Sequence, residues 1–88
     1  MIVIDFYTKP NCCLCSKALT LLERLQKEFL FSVRELDVTE NGELEKRYGV
    51  LVPVAEIERR EVFRYEANED ALRSVLGKLQ KDAEEAGI

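Results

Sequence analysis

Three cysteines, at positions 12, 13 and 15, lie close together in this sequence. Cys12 and Cys15 are separated by two residues and follow Thr8-Lys9-Pro10-Asn11, a segment typical of a strand end and a helix start. A cysteine at a helix N-terminus lies beside unpaired backbone N–H groups and the positive end of the helix dipole, which favour the reactive thiolate. Cys12 is therefore the predicted nucleophile. Cys15, about one turn later, is expected to attack a mixed disulfide formed on Cys12.

Two neighbours of this pair allow more than one interpretation. Lys9 is either a solvated loop charge or a cation that favours the Cys12 thiolate and binds an anionic partner. Cys13 is out of phase with Cys12 and Cys15, and it is either a bystander, a third redox partner or a metal ligand. The three thiols would supply part of a metal or iron–sulfur site, but the chain has no His to complete it.

The composition indicates one folded domain, residues 1–88, because a chain of 88 residues closes a single hydrophobic core. Apolar residues make up 47% of the chain and charged residues 34%, as in ordinary globular proteins. No run approaches the roughly 20 apolar residues of a membrane helix. The N-terminus also lacks the basic and apolar regions of a signal peptide. We expect no membrane association and a cytoplasmic location.

The charge and the cysteine spacing restrict the function further. The net charge is −4 and no basic run is present, so nucleic-acid binding is not expected. Three closely spaced cysteines differ from the even, spread set of a disulfide framework. Redox chemistry, metal binding and inert thiols are the remaining interpretations.

The cysteines are expected to lie between a buried strand and an amphipathic helix. Residues from Ile2 to Tyr7 are apolar except for Asp5, as in a strand covered on both faces. Asp5 is then either solvent-facing or a buried acid that accepts a proton from a cysteine. Apolar residues from Leu14 to Phe29 recur at helical spacing. A second strand, Phe31 to Val38, completes a β-α-β unit, so the two strands should be parallel.

A short helix, a hairpin and a closing helix are predicted for the rest of the chain. Thr39 is the predicted N-cap of the short helix. Residues 54–66 are expected to form a hairpin that turns around Arg59-Arg60. Asn68 is the predicted N-cap of the last helix, and residues 82–88 are expected to form an exposed end. The predicted element order is β-α-β-α-β-β-α.

The chain resembles the glutaredoxin-like branch of the thioredoxin superfamily over nearly its whole length. The residues that carry the resemblance are Thr8-Lys9-Pro10-Asn11-Cys12, Cys15, and the Val52-Pro53 pair before the hairpin. The resemblance implies an α/β, thioredoxin/glutaredoxin-like fold with a four-stranded mixed sheet and helices on both faces. It implies a thiol-disulfide oxidoreductase in which Cys12 attacks and Cys15 resolves. Pro53 matches the superfamily's cis-proline, which faces the dithiol, and Val52 offers its backbone to the substrate.

Two departures from the family pattern bear on the substrate. Cys13-Leu14 stands where glutaredoxins commonly carry Pro-Tyr, and no Trp precedes Cys12 as it does in thioredoxins. Glu66-Ala67 stands where glutaredoxins place a Gly-Gly pair before the acidic helix start that holds glutathione, although Asp70 keeps an acid there. The chain thus departs from the glutathione-binding pattern.

We therefore expect a disulfide-containing protein or a small thiol as the partner, with glutathione less favoured. The candidate substrate-binding residues are Lys9, Val52, Pro53 and Asp70, and no cofactor is expected. Two other hypotheses are a metal or iron–sulfur module built on the three cysteines, and a superfamily fold kept only as a non-catalytic binding domain.

Overall fold

A computed structural model of the chain describes residues 2–85, with side chains through residue 82. In chain order, its elements are strand β1 (Ile2–Thr8), helix α1 (Cys13–Leu25), strand β2 (Phe31–Asp37), a 3₁₀ turn (Val38–Glu40), helix α2 (Gly42–Tyr48), strand β3 (Val54–Ile57), strand β4 (Arg60–Arg64) and helix α3 (Glu69–Glu85). This order confirms the predicted β-α-β-α-β-β-α arrangement. Helix α3 continues into the predicted exposed end, of which residues 86–88 lie outside the described residues.

The four strands form one mixed sheet in the order β2-β1-β3-β4. Strand β1 is parallel to β2 and antiparallel to β3, which is antiparallel to β4. Thr8 therefore lies beside Asp37, and Tyr7 lies beside Val54. The loop after β1, the turn after β2 and the segment before β3 consequently meet at one edge of the sheet.

Different helices cover the two faces of the sheet. Phe6 faces α1, since it lines a common cavity with Leu19 of that helix. Tyr7 faces the opposite side because side chains alternate along a strand, and there it stacks on Tyr48 of α2. Helix α3 lies beside α1, to which an ion pair of Arg24 with Glu69 joins it, and a second pair joins Arg73 to Glu28 in the turn after α1. Helices on both faces of the sheet are thus confirmed.

Apolar burial on both faces of the sheet forms the core. The side chains with no measurable exposure are Ile4, Ala18, Leu22, Leu25, Val38, Val54, Ala55, Leu72 and Leu76. Leu22 and Leu25 of α1 and Leu72 and Leu76 of α3 lie at the predicted helical spacing. Their burial removes apolar area from water, the dominant favourable term in folding, and it fixes α1 against the sheet.

The N-cap of α2 and the hairpin turn lie one or two residues away from their predicted positions. Asn41, not Thr39, caps α2, because its Oδ1 accepts hydrogen bonds from the backbone N–H groups of Glu43 and Leu44 at 2.9 and 3.2 Å. The hairpin turns at Glu58 and Arg59, whose φ angles are 53° and 67°. A tight two-residue hairpin turn needs two consecutive left-handed residues. Neither position carries the Gly or Asn that usually indicates such a turn in a sequence.

Helix α2 is attached to the sheet by two tyrosines that share one carboxylate. The rings of Tyr7 and Tyr48 stack with their centroids 4.1 Å apart. Both hydroxyls donate to Glu56 of β3, Tyr7 at 3.3 Å and Tyr48 at 2.9 Å. Burial, together with the negative charge of Glu56, raises the pKa of both phenols. Tyr7 is the second-to-last residue of β1 and pairs with Val54, the first residue of β3, so the cluster lies next to the edge at which the loops meet.

We predict that Leu22→Ala lowers the free energy of unfolding by about 2–5 kcal/mol, because the lost side chain leaves a cavity in the core. Urea unfolding followed by circular dichroism measures the change. Leu30→Ala is the matched control, since Leu30 is 80% exposed, and its effect should stay within about 0.5 kcal/mol. Equal losses in the two variants would contradict this account of the core.

Because of the tyrosine cluster, we predict that the folded state becomes less stable at alkaline pH. In the unfolded chain the pKa of a phenol is about 10, and folding raises it. The phenols therefore contribute their full stabilisation of the native state below about pH 10. This stabilisation is lost as the pH rises through the pKa values of the folded protein. Glu56→Gln removes the negative charge, so Tyr7 and Tyr48 should ionise at lower pH than in the wild type. A titration followed by tyrosinate absorbance measures this shift, and superimposable curves for the two proteins would contradict it.

Candidate active site

The structure brings Cys12 and Cys15 together as a disulfide, with their Cα atoms 5.2 Å apart. Cys12 is the N-cap of α1, and its Sγ accepts a hydrogen bond from the backbone N–H of Cys15 at 3.1 Å. Cys12 is half-buried and Cys15 is 4% exposed. Cys12 is therefore the more accessible sulfur of the pair.

The loop between β1 and α1 turns Cys12 into this capping position. Asn11 has a φ angle of 59°, in the left-handed region that Asn tolerates better than most residues. The backbone carbonyl of Cys12 then accepts the N–H of Ser16 at 3.1 Å, which closes the first turn of the helix. The predicted strand, turn and helix thus place Cys12 beside the free N–H groups of α1.

Lys9 joins this loop to the end of α2. Its Nζ donates a hydrogen bond to the backbone carbonyl of Gly49 at 3.1 Å, and its side chain is exposed. The ammonium group thus has a partner and is more than a fully solvated loop charge. Lys9 also lines the cavity that contains Cys12 and Cys15.

The segment before β3 lies at the same edge of the sheet. The peptide bond between Val52 and Pro53 is cis, and both residues are buried. The N–H of Val52 donates to the carbonyl of Tyr48 at 3.0 Å, and the carbonyl of Pro53 accepts the N–H of Tyr65 at 2.8 Å. The Val52 N–H is therefore already used inside the protein.

An open groove of about 900 Å³ contains the disulfide. One wall is formed by the loop from Thr8 to Cys13 and by side chains of α1. The other wall carries three acidic residues that follow one another around the end of β2, namely Glu35, Asp37 and Glu40. No role for these acids was predicted from the sequence. The parallel pairing of the first two strands was the signal, since it places both carboxyl ends at one edge.

Asp70 lies apart from the cysteines. It is exposed at the start of α3, whose N-cap is Asn68, as predicted, because the Asn68 Oδ1 accepts the N–H of Ala71 at 3.0 Å. Asp70 lines a second cavity of about 650 Å³, together with Glu66 and Glu69, and no cysteine lines that cavity. The structure thus separates Asp70 from the groove that holds the disulfide.

Two other predicted features can be located. Asp5 is half-buried on the face opposite Phe6 and forms an ion pair with Arg34 at 2.9 Å, away from the groove. Cys13 is exposed and forms no disulfide. Within residues 2–85, no group of three or more His, Cys, Asp or Glu side chains is arranged to hold a metal ion. None of the helices in that range is long and apolar enough to cross a membrane.

The chain was compared with curated proteins and with solved structures. A search of curated proteins found no significant match. Among solved structures, the chain is similar to a protein from Nitrosomonas europaea, with 26% identity and a TM-score of 0.77 over 85% of this chain and 91% of that one.

Two thioredoxins are also similar to the chain. A variant of Halobacterium salinarum thioredoxin has 26% identity and a TM-score of 0.63, over 88% of this chain and 73% of that one. Fasciola hepatica thioredoxin has 26% identity and a TM-score of 0.59, over 88% of this chain and 79% of that one. Together with the disulfide between Cys12 and Cys15, these likenesses support a redox role for a thioredoxin fold.

The model of the glutaredoxin-like domain family (DUF836) matches residues 3–77. This range contains the disulfide, the cis-proline, the first half of α3 and all four strands apart from Ile2, the first residue of β1. The chain therefore belongs to the glutaredoxin-like domain family, within the thioredoxin superfamily.

Proposed function

We propose that the protein is a thiol-disulfide oxidoreductase in which Cys12 attacks a substrate disulfide and Cys15 resolves the mixed disulfide. The observation that carries the proposal is the placement of the pair. The accessible sulfur, Cys12, caps α1 in an open groove, and the buried sulfur, Cys15, lies directly behind it. An attacking thiol must reach the substrate, whereas a resolving thiol must reach only Cys12.

The reaction balances as two thiol–disulfide exchanges. In the reduced protein, the Cys12 thiolate attacks one sulfur of the substrate disulfide, and the other substrate sulfur leaves as a thiolate and takes up a proton. Cys15, as its thiolate, then attacks the Cys12 sulfur and releases the second substrate thiol. The substrate gains two electrons and the protein is left with the Cys12–Cys15 disulfide. An external thiol reductant, such as those of the cytoplasm, returns the protein to its reduced form.

Local electrostatics favour Cys12 as the attacking group. The N–H of Cys15 points at the Cys12 sulfur from 3.1 Å, and a negative sulfur accepts such a bond more strongly than a neutral one. The first turn of α1 contains no acidic residue to oppose that negative charge. Lys9 adds an ammonium group to the same groove. The N–H of Cys15 and the ammonium group of Lys9 stabilise a thiolate more than a thiol. The carboxylates that line the same groove act in the opposite direction.

The substrate is proposed to be a disulfide-containing protein or a small thiol disulfide, held at the sheet edge. Lys9 contributes charge to the groove. Val52 and Pro53 are buried at the same edge of the sheet and do not line the groove, and Val52 is proposed to offer its carbonyl there. Asp70 would contact only a substrate long enough to extend from the groove to the second cavity. Glutathione fits this arrangement less well, because the cavity at the start of α3 is lined by Glu66, Glu69 and Asp70.

We predict that Cys12→Ser reduces a substrate disulfide no faster than the reaction without protein, because the nucleophile is gone. Cys15→Ser should instead stop after the first exchange and accumulate a mixed disulfide on Cys12. Steady-state rates and the mass of the intact protein measure the two outcomes.

Cys13→Ser is the matched control for these variants. It removes an equally close thiol that lies outside the disulfide, so turnover should continue. Wild-type turnover by Cys12→Ser would disprove the assignment of the nucleophile, and loss of turnover in Cys13→Ser would make Cys13 a redox partner.

We also predict that Cys12 stays reactive toward iodoacetamide at lower pH in the folded protein than in the urea-unfolded protein. The variant used is Cys13→Ser/Cys15→Ser, in which Cys12 is the remaining thiol, and the measurement is the alkylation rate against pH. Adding Lys9→Gln should shift the profile toward the unfolded one. Lys78→Gln is the control, because Lys78 lies near the hairpin turn at the other end of the sheet. Identical folded and unfolded profiles would contradict a favoured thiolate.

A further inference from the structure

The groove that contains the disulfide has one strongly acidic wall. Glu35 lies on β2, Asp37 ends that strand, and Glu40 ends the 3₁₀ turn that follows. The cation that lines the same groove is Lys9, and its ammonium group is bound to the carbonyl of Gly49. Three carboxylates therefore face the groove against one ammonium group.

None of these carboxylates forms an ion pair within the described part of the chain. The ion pairs among residues 2–85 use other acids, and none includes Glu35 or Glu40. Asp37 accepts the backbone N–H and the hydroxyl of Thr39 at 2.9 and 2.6 Å, which fixes its orientation without neutralising it. A negative potential therefore acts on whatever enters the groove, since a concave wall of one sign concentrates its field.

Two further observations point the same way. The cavity at the start of α3 is lined by Glu66 and Asp70, which form no ion pair among residues 2–85, together with Glu69 and Arg64, which are paired with other residues. The whole chain carries a formal charge of −4. An anionic disulfide such as oxidised glutathione would meet repulsion from the groove and from the molecule as a whole, whereas a cationic one would be attracted.

We propose that the groove selects disulfides flanked by Lys or Arg in a polypeptide partner, through the carboxylates of Glu35, Asp37 and Glu40. This inference rests on the proposed function and adds a substrate class to it. The acids are not a separate binding site, because they line the same groove as the sulfurs of Cys12 and Cys15. Basic residues next to the substrate cysteines would lie against the acidic wall while Cys12 attacks.

The test compares three synthetic peptides that contain the same intramolecular disulfide, flanked by Lys, by Gln or by Glu. Reduced full-length protein is mixed with each peptide, and acid-quenched samples are analysed by mass to give the second-order rate constant. The rates with dithiothreitol alone correct for the intrinsic reactivity of each peptide. We expect the Lys peptide to react about tenfold or more faster than the Glu peptide at low salt, with the Gln peptide between them.

Salt and two matched variants identify the source of the selectivity. The ratio should fall toward one as the ionic strength rises from about 0.01 M to about 1 M, since the Debye length shortens from about 30 Å to about 3 Å. Glu35→Gln/Glu40→Gln should reduce the low-salt ratio severalfold. Glu23→Gln/Glu58→Gln changes the net charge equally at exposed sites outside the groove, and should leave most of the ratio intact.

The outcomes separate this inference from the proposed function. Reduction of all three peptides at equal corrected rates would overturn the charge selectivity and leave the oxidoreductase in place. A ratio lowered equally by both double variants would overturn the role of the groove, because net charge alone would explain it. If no peptide is reduced, the proposed function fails and the inference fails with it.

Discussion

The parallel pairing of β1 with β2, across α1, is the constraint on which the site depends. A crossover between parallel strands must pass over one face of the sheet, so α1 begins at the edge where β1 ends. The same pairing brings the end of β2 to that edge, and the antiparallel β3 begins there. Cys12, the acidic wall and the cis-proline segment are therefore neighbours because of topology, although they are far apart in sequence.

Two opposite electrostatic preferences act within a short distance at this edge. The N-terminus of α1 favours negative charge on the sulfur of Cys12, through the N–H groups that the helix leaves unpaired. The wall formed by Glu35 and Glu40 favours positive charge in the groove. The carboxylates of the wall also oppose a negative charge on Cys12, whereas the N–H of Cys15, which contacts that sulfur at 3.1 Å, favours it. Lys9 lies at the boundary, held by Gly49.

Local patterns were sufficient for the elements and for the reactive pair. The alternating and helical apolar spacings predicted every strand and helix, and the two-residue gap with its preceding turn predicted the pairing of Cys12 with Cys15. Local patterns gave the wrong N-cap for α2, where two residues that can cap a helix lie close together. Asn41 rather than Thr39 caps α2, because the 3₁₀ turn intervenes and occupies Thr39. The acidic wall could not be predicted from the sequence of β2 alone, because the pairing of β2 with β1 is what brings these acids to the groove.

The place of β2 in the sheet has a consequence for solubility. As an edge strand, β2 leaves one row of backbone N–H and C=O groups without a neighbouring strand, and such a row is a template on which another chain can add. Arg34 and Glu35 are exposed side by side in the middle of this strand. A chain that added there would have to strip water from both charges. Glu35 therefore discourages edge-to-edge aggregation at the strand that also bounds the groove, so changing it affects how the protein associates with itself.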